Sequence, residues 1–394
     1  MYQDGISSLF SPRDGYYQTI SRITAGLATL VPLEVAPLVM NIVFILVKSY
    51  LVALLFTERL SHLCNSQHLK IIAALFILVT PNAQEVHGNV TNAHWFLSAI
   101  ALLILLSEEP RSKIIKCFDY FVLLIAGLSG PFSIIISPLA IIWNYINRAS
   151  LSTHSKLLTV CICVTACIQL FTVLSTGDHR LNSELGASVS LFVQIISSRL
   201  FGPVFFGSEI TFQLWEHTNL AILFFVLGTA TLIVGLYKAT APIRIIILYG
   251  ILMLIAAMIG PMMTSTGGAS QWRFFELGGG RYFAIPMVSV FIAFLVLVSH
   301  YWHKSILTKI GLSLLLIHIA ISILKNDFLL RPLEDCRWKE HVAKYKNDNS
   351  FSVIPINPGC RQNTWRVDLS LDVANMAHTK IPINLLLENS METD

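Results

Sequence analysis

Long apolar runs broken by short polar punctuation dominate the chain. They lie at about 37–56, 71–80, 92–107, 114–129, 131–147, 157–175, 219–237, 243–262, 282–300 and 306–324. Most approach the roughly 20 residues that an α-helix needs to cross a hydrocarbon core. The run between Lys70 and Pro81 is shorter; it predicts a span extended into the His68 or Asn82 flank, or a re-entrant segment. Only Ser129, Gly130 and Pro131 separate the fourth run from the fifth, which predicts a tight helical hairpin. None of the runs alternates with the period of two that a membrane barrel imposes. In lipid a helix satisfies its backbone hydrogen bonds within its own segment. The expected fold is therefore all-α, a polytopic transmembrane helical bundle of about ten spans over residues 35–324. An external loop and interfacial helix (1–34) precede it, and a short external C-terminal segment (325–394) follows.

Composition agrees with that pattern. Of 394 residues, 54% are hydrophobic and 13% charged, about half the charged share of an ordinary soluble domain. The lipid bilayer is thus the first expected partner. A net charge of +4 is too mild to suggest nucleic acid, so none is expected.

The placement of the basic residues gives the spans a direction. With loops on alternating sides, one side holds Arg59 and Lys70, then Arg111, Lys113 and Lys116, then Arg148 and Lys156, then Lys238 and Arg244, then Lys304 and Lys309. The other side has no Lys or Arg in loop 81–91 or at 129–131, and its two long loops carry only Arg180, Arg199, Arg273 and Arg281. The positive-inside rule puts the first set in the cytoplasm. The N-terminus, loops 176–218 and 263–281, and the tail 325–394 then lie outside. Residues 1–22 contain no signal peptide, and the run 23–31, closed by Pro32, is too short to cross; it reads as an interfacial helix with Arg22 at its polar end. An outside N-terminus without a preceding span predicts a further transmembrane helix upstream of residue 1; the alternative is a short polar N-terminus that translocates by itself.

Cysteine usage follows the same division. Cys64, Cys117, Cys161, Cys163 and Cys167 fall in spans or cytoplasmic loops, without metal-ligand spacing. Cys336 and Cys360 share the external tail, where an oxidising compartment permits a disulfide between them.

Four polar clusters gather on the outer side. They are Asp4, Arg13, Asp14, Tyr16, Tyr17 and Arg22; Glu85, His87, Asn89, Asn92, His94 and Trp95; Asp178, His179, Arg180 and Glu184 with Arg199, Glu209, Glu216 and His217; and Gln271, Trp272, Arg273 and Glu276 with Gly278-Gly279-Gly280-Arg281-Tyr282. Charges held at a membrane boundary are costly unless paired or used, although any one of these residues also reads as solvated loop. Arg281 is the most suggestive, because three glycines let the backbone turn and approach a ligand and a guanidinium clamps phosphate through paired hydrogen bonds. The competing role is an interfacial anchor, with Tyr282 in the aromatic belt.

The layout resembles the C-type glycosyltransferase superfamily (GT-C), polytopic enzymes that take sugars from polyprenyl-phosphate donors. Residues 3–22, with Asp4 and Asp14, look like that family's first external loop. His87-Gly88-Asn89-Val90-Thr91-Asn92-Ala93-His94-Trp95 is similar to a G-N-x-T-N-x-x-W block of bacterial membrane proteins of this type, Arg281-Tyr282-Phe283 with Pro286 resembles their R-Y-x-x-x-P span entry, and the tail with Trp338, Ile354-Pro355-Ile356-Asn357-Pro358 and Trp365 resembles their external end. The resemblance implies an inner (plasma) membrane enzyme acting on a lipid-linked sugar donor and a glycan or lipid acceptor. A carboxylate suits the base such transfer requires, and Arg stabilises a leaving phosphate without a metal. Asp4 or Asp14 is then the expected catalytic base and Arg281 the phosphate clamp, with Arg199 or Arg273 as second cation. Asn92, Trp95 and Tyr282 complete the expected substrate-binding set; no metal or other cofactor is expected. The alternatives are a transporter or flippase of a lipid-linked saccharide, disfavoured by the lack of an internal repeat, and a non-catalytic membrane protein.

Overall fold

The computed structural model describes residues 7, 9, 11–12, 15–149, 152–175, 184–261, 270–276, 278–328, 335–348, 352–356 and 366–368. Asp4, Arg13, Asp14, Asp178, His179, Arg180 and Cys360 lie outside the described residues.

Among the described residues, helices form nearly all of the regular structure. After α1 (Thr19–Ala28) come α2 (Ala36–Leu55), α3 (Gln67–Leu78), α4 (Ala93–Leu106), α5 (Lys113–Gly127), α6 (Phe132–Ile146) and α7 (Thr153–Ser175). A second group follows: α8 (Val189–Ile195), α9 (Gly202–Phe206), α10 (Ile210–Glu216), α11 (Thr218–Lys238), α12 (Ala241–Ile259), α13 (Ala284–Tyr301), α14 (Ile306–Ile323) and α15 (Trp338–Asn347). Strands β1 (Val353–Pro355) and β2 (Arg366–Asp368) pair antiparallel, with Ile354 opposite Val367.

Among the described residues, seven helical segments are long and apolar enough to cross a membrane: 33–55, 153–175, 189–206, 218–238, 241–259, 280–301 and 306–327. Three shorter apolar helices, 67–78, 90–106 and 132–146, pack with them. The chain is thus an all-α helical bundle of multi-pass membrane type. Helix starts follow local chemistry: Ser66, Ser188 and Ser305 each accept a backbone N–H three residues on, and Pro37 and Pro242 occupy first-turn positions where no donor is lost.

The short helices survive because others shield them. Helix α4 is buried along almost its whole length, enclosed by α2, α5, α6 and α13. The peripheral helices instead turn large apolar side chains outward, among them Phe171, Leu174, Ile233 and Leu314, as helices apolar on every side do when lipid is the solvent. Small residues let helices approach closely: the Phe201 ring seats directly on Gly228 of α11, and Ser289 of α13 on Gly250 of α12.

The helices run antiparallel between two ends of different character. At the basic end, Arg59 forms a two-pronged pair with Asp119 of α5 at 3.1 and 2.7 Å, and also donates to the Glu108 carbonyl and the Ser107 hydroxyl. His154 of α7 reaches the same fully buried carboxylate at 3.3 Å. At the polar end, α1 lies across the α5–α6 turn: Thr19 N–H donates to Leu128 O, and Gly130 N–H donates to Tyr17 O. The tail clips onto the start of α2, with Trp338 donating to Leu33 O and Lys346 paired to Glu34. Cys336 is disulfide-bonded, whereas Cys64, Cys117, Cys161, Cys163 and Cys167 are free.

The stretch 176–218, expected to be an external loop, contains the apolar segment 189–206. Both ends of that segment meet the polar end. Glu184 and Leu185 accept backbone bonds from Gln271 and Trp272; at the far end, Ser208 N–H donates to Asp327 beyond α14. Helix α10 then returns alongside it, Thr211 donating to Ser198 O. The segment and α10 form a folded-back hairpin at the polar end, the helix 189–206 running on through a π-turn at Ile196–Phe201 and turning at Gly207. The second expected span is shifted as well: α3 begins at Gln67, drawing on the His68 flank.

Removing one partner of a buried ion pair strands the other and costs about 3–5 kcal/mol. Arg59→Met is therefore expected to lower the thermal unfolding midpoint of the detergent-solubilised protein by several degrees, with Arg59→Lys intermediate.

Candidate functional site

The site at the polar end is built around loop 79–92. Thr80 closes α3 by donating to the Phe76 and Ile77 carbonyls. Asn82 takes a left-handed backbone with φ 49°, and its N–H donates to Asp327 at 2.8 Å. Glu85 faces the glycine run: one carboxylate oxygen accepts Gly279 N–H at 3.0 Å, the other lies 3.4 Å from Arg281. Gly279 is left-handed, φ 75°, and any Cβ on Gly280 would collide with the Asn82 carbonyl. Gly279 and Gly280 therefore serve a close approach between two loops 194 residues apart along the chain.

Arg281 and Glu85 are both half-exposed, at 34% and 38% of their side-chain area. The guanidinium lies 5.1 Å from the Tyr282 ring centroid, and Tyr16 of the N-terminal segment is within its electrostatic reach. Arg281 and Glu85 thus offer adjacent positive and negative groups to solvent at the mouth of an apolar bundle. A carboxylate and a guanidinium so placed can divide the work of deprotonating a hydroxyl and steadying a phosphate.

The other expected residues are placed differently. Arg199 is buried in the folded-back hairpin, donating to the Phe275 and Glu276 carbonyls and to the Asn82 amide oxygen. Its donors hold the two loops together. Asn92 is buried and donates to Glu85 O at 2.7 Å, which sets the loop beneath the ion pair. Trp95 is buried between Phe132 and Tyr282, with centroids at 4.7 and 5.7 Å. Arg273 is exposed and loosely paired to Glu276 at 3.9 Å. Trp272 is buried, donating to Met258 O at 2.8 Å. The structure therefore joins the Glu85 and Arg281 clusters and anchors them with Arg199, while Arg273 stays on the surface and Asp4 and Asp14 are outside the described residues.

Beneath the site lies a buried cation that the sequence reading did not single out. Lys48 of α2 is 5% exposed and donates to Leu78 O at 2.8 Å and to His87 Nδ1 at 2.7 Å. The other His87 nitrogen reaches Thr80 O at 3.0 Å. Neutral His87 satisfies both contacts by accepting at Nδ1 and donating at Nε2. The one signal in the sequence is a lysine inside an apolar run. Among the described residues no group of three metal-ligating side chains converges.

Comparison with protein-family models, curated proteins and solved structures returned no significant match.

Burial, reinforced by the Lys48 charge and opposed by the bond to Thr80, pushes the His87 pKa down to about 4. An unfolded histidine titrates near 6.5, so between these values the unfolded chain takes up a proton that the folded one refuses. The contribution is present above about pH 6.5 and disappears as pH falls toward 4, amounting to no more than about 3 kcal/mol. The unfolding midpoint is expected to fall over that interval; His87→Gln should flatten the His87 part of the slope.

Proposed function

We propose that this protein is a membrane glycosyltransferase of GT-C type, transferring a sugar from a polyprenyl-phosphate donor without a metal. In this reading about ten helices cross the cell inner (plasma) membrane, α2 to α7 and α11 to α14, and the polar end with both termini faces the non-cytoplasmic side. The observation carrying the proposal is the half-exposed Arg281–Glu85 pair at the mouth of the bundle. Arg281 steadies the leaving phosphate once donor enters and loosens its contact with Glu85. Asp4 or Asp14 takes the acceptor proton. Arg199, Asn92, Trp95 and Tyr282 hold the loops from which Arg281 projects, and Arg273 extends the positive surface toward the donor.

Membranes carrying the protein, supplied with polyprenyl-phosphate sugar and acceptor, are expected to show transfer. Arg281→Ala should reduce it about 10²- to 10³-fold, and Asp4→Asn or Asp14→Asn about 10²- to 10⁴-fold for whichever is the base. Transfer unchanged by all three would rule out the site, and uptake into vesicles without transfer would assign the chain to the flippases.

Orientation has its own measurement. In a cysteine-free background, Arg273→Cys is expected to react with an impermeant maleimide added to intact cells. Lys113→Cys should react only after permeabilisation.

A further inference from the structure

A cavity of about 330 Å³ opens at the basic end, away from the site just described, between α2, α3, α4, α12 and α13. Its lining on α13 runs from Ile285 to His300, about 22 Å along a helix, so it is a narrow slot. The walls are almost wholly apolar, with Leu51, Ala73, Phe96, Ala99 and Val288 among them. Charge appears only toward the basic end, where Lys70, Lys238 and His300 line it and no carboxylate does.

Lys70 is the unusual member. Its residue is only 8% exposed, and its ammonium has no hydrogen-bond or carboxylate partner among the described residues. The enclosed cations Lys48 and Arg199 are, by contrast, engaged: Lys48 by Leu78 O and His87, and Arg199 by two carbonyls and Asn82. At the mouth of an otherwise apolar cavity, the Lys70 ammonium can take an anion as its partner. Lys238, exposed, lines the same mouth. An apolar slot entered past two lysines complements a long hydrocarbon chain ending in a compact anion.

We propose that this cavity binds one molecule of a single-chain lipid phosphate, its chain between α3, α4 and α13 and its phosphate on Lys70 and Lys238. The binding is non-covalent and independent of the transferase reading. In that reading donor enters at the polar end; this lipid enters at the basic end.

The full chain in phosphatidylcholine nanodiscs provides the test, with tritiated hexadecyl phosphate as probe. Saturable binding of one molecule per chain is expected. Hexadecanol should compete about ten- to hundredfold less well, which is the value of charge-assisted hydrogen bonds to the head, and inorganic phosphate should not compete. Lys70→Met and Lys238→Gln remove the headgroup contacts, whereas Ala99→Phe fills the slot and leaves the lysines in place. Each should weaken binding at least about tenfold, with elution volume and unfolding midpoint confirming that the variant is folded. Equal affinity for the phosphate and the alcohol would overturn the proposal, as would a folded Lys70→Met or Ala99→Phe that binds like the parent. Cross-linking of Cys64, which lines the cavity, to a second polypeptide in the purified protein would give the space to a protein segment and overturn it too.

Discussion

A charge inside hydrocarbon has no water to hydrate it, and this constraint organises the molecule. Each ionic group must reach an end of the bundle or find a partner within it. Asp119 is fully buried, and Arg59 and His154 close around it. Lys48 reaches a carbonyl freed at the end of α3 and the neutral ring of His87. Arg199 gathers the carbonyls of a distant loop. These arrangements do more than neutralise charge. Each ties segments far apart in sequence, so the polar groups that lipid penalises become the fasteners that fix the helix ends.

The two ends use this differently. At the basic end the buried pair joins the short 3-10 helix Glu58–Leu63 to α5 and α7, a compact fastener with Asp119 shut away from solvent. At the polar end the contacts form a chain: Asp327 holds Asn82, Asn82 accepts from Arg199, Arg199 holds the carbonyls at 275–276, and Glu85 faces Gly279 and Arg281. The last link of that chain is exposed. A scaffold fixed by buried bonds that ends in an accessible ion pair suits a binding or catalytic role, since the reactive groups are placed without being locked.

The folded-back hairpin explains how Arg199 comes to be there. Gln194, Ser197, Ser198 and Arg199 interrupt the apolar stretch 189–206, and the helix loosens into a π-turn at that point. Ser197 donates to Ala221 O, and Phe201 sits on Gly228, so the segment leans on α11 while both of its ends stay at the polar face. Its polar residues made it read as loop; its packing against α11 and α14 makes it helix.

The apolar runs by themselves determined that the chain is a helical membrane bundle, because periodicity and length are local properties and lipid leaves the backbone few options. They also marked most helix positions closely, and the glycine run before Arg281 together with the polar cluster at 85–95 marked the candidate site. Only the tertiary structure decided that Glu85 pairs with Arg281, that Arg199 is a buried fastener, that Trp95 packs inside, and that Lys70 stands at the mouth of an apolar cavity. Each of these depends on which side chain another part of the chain brings near. Glu85 and Arg281 are 196 positions apart, and their meeting rests on the close passage of Gly280 beneath the Asn82 carbonyl, a contact that no local pattern encodes.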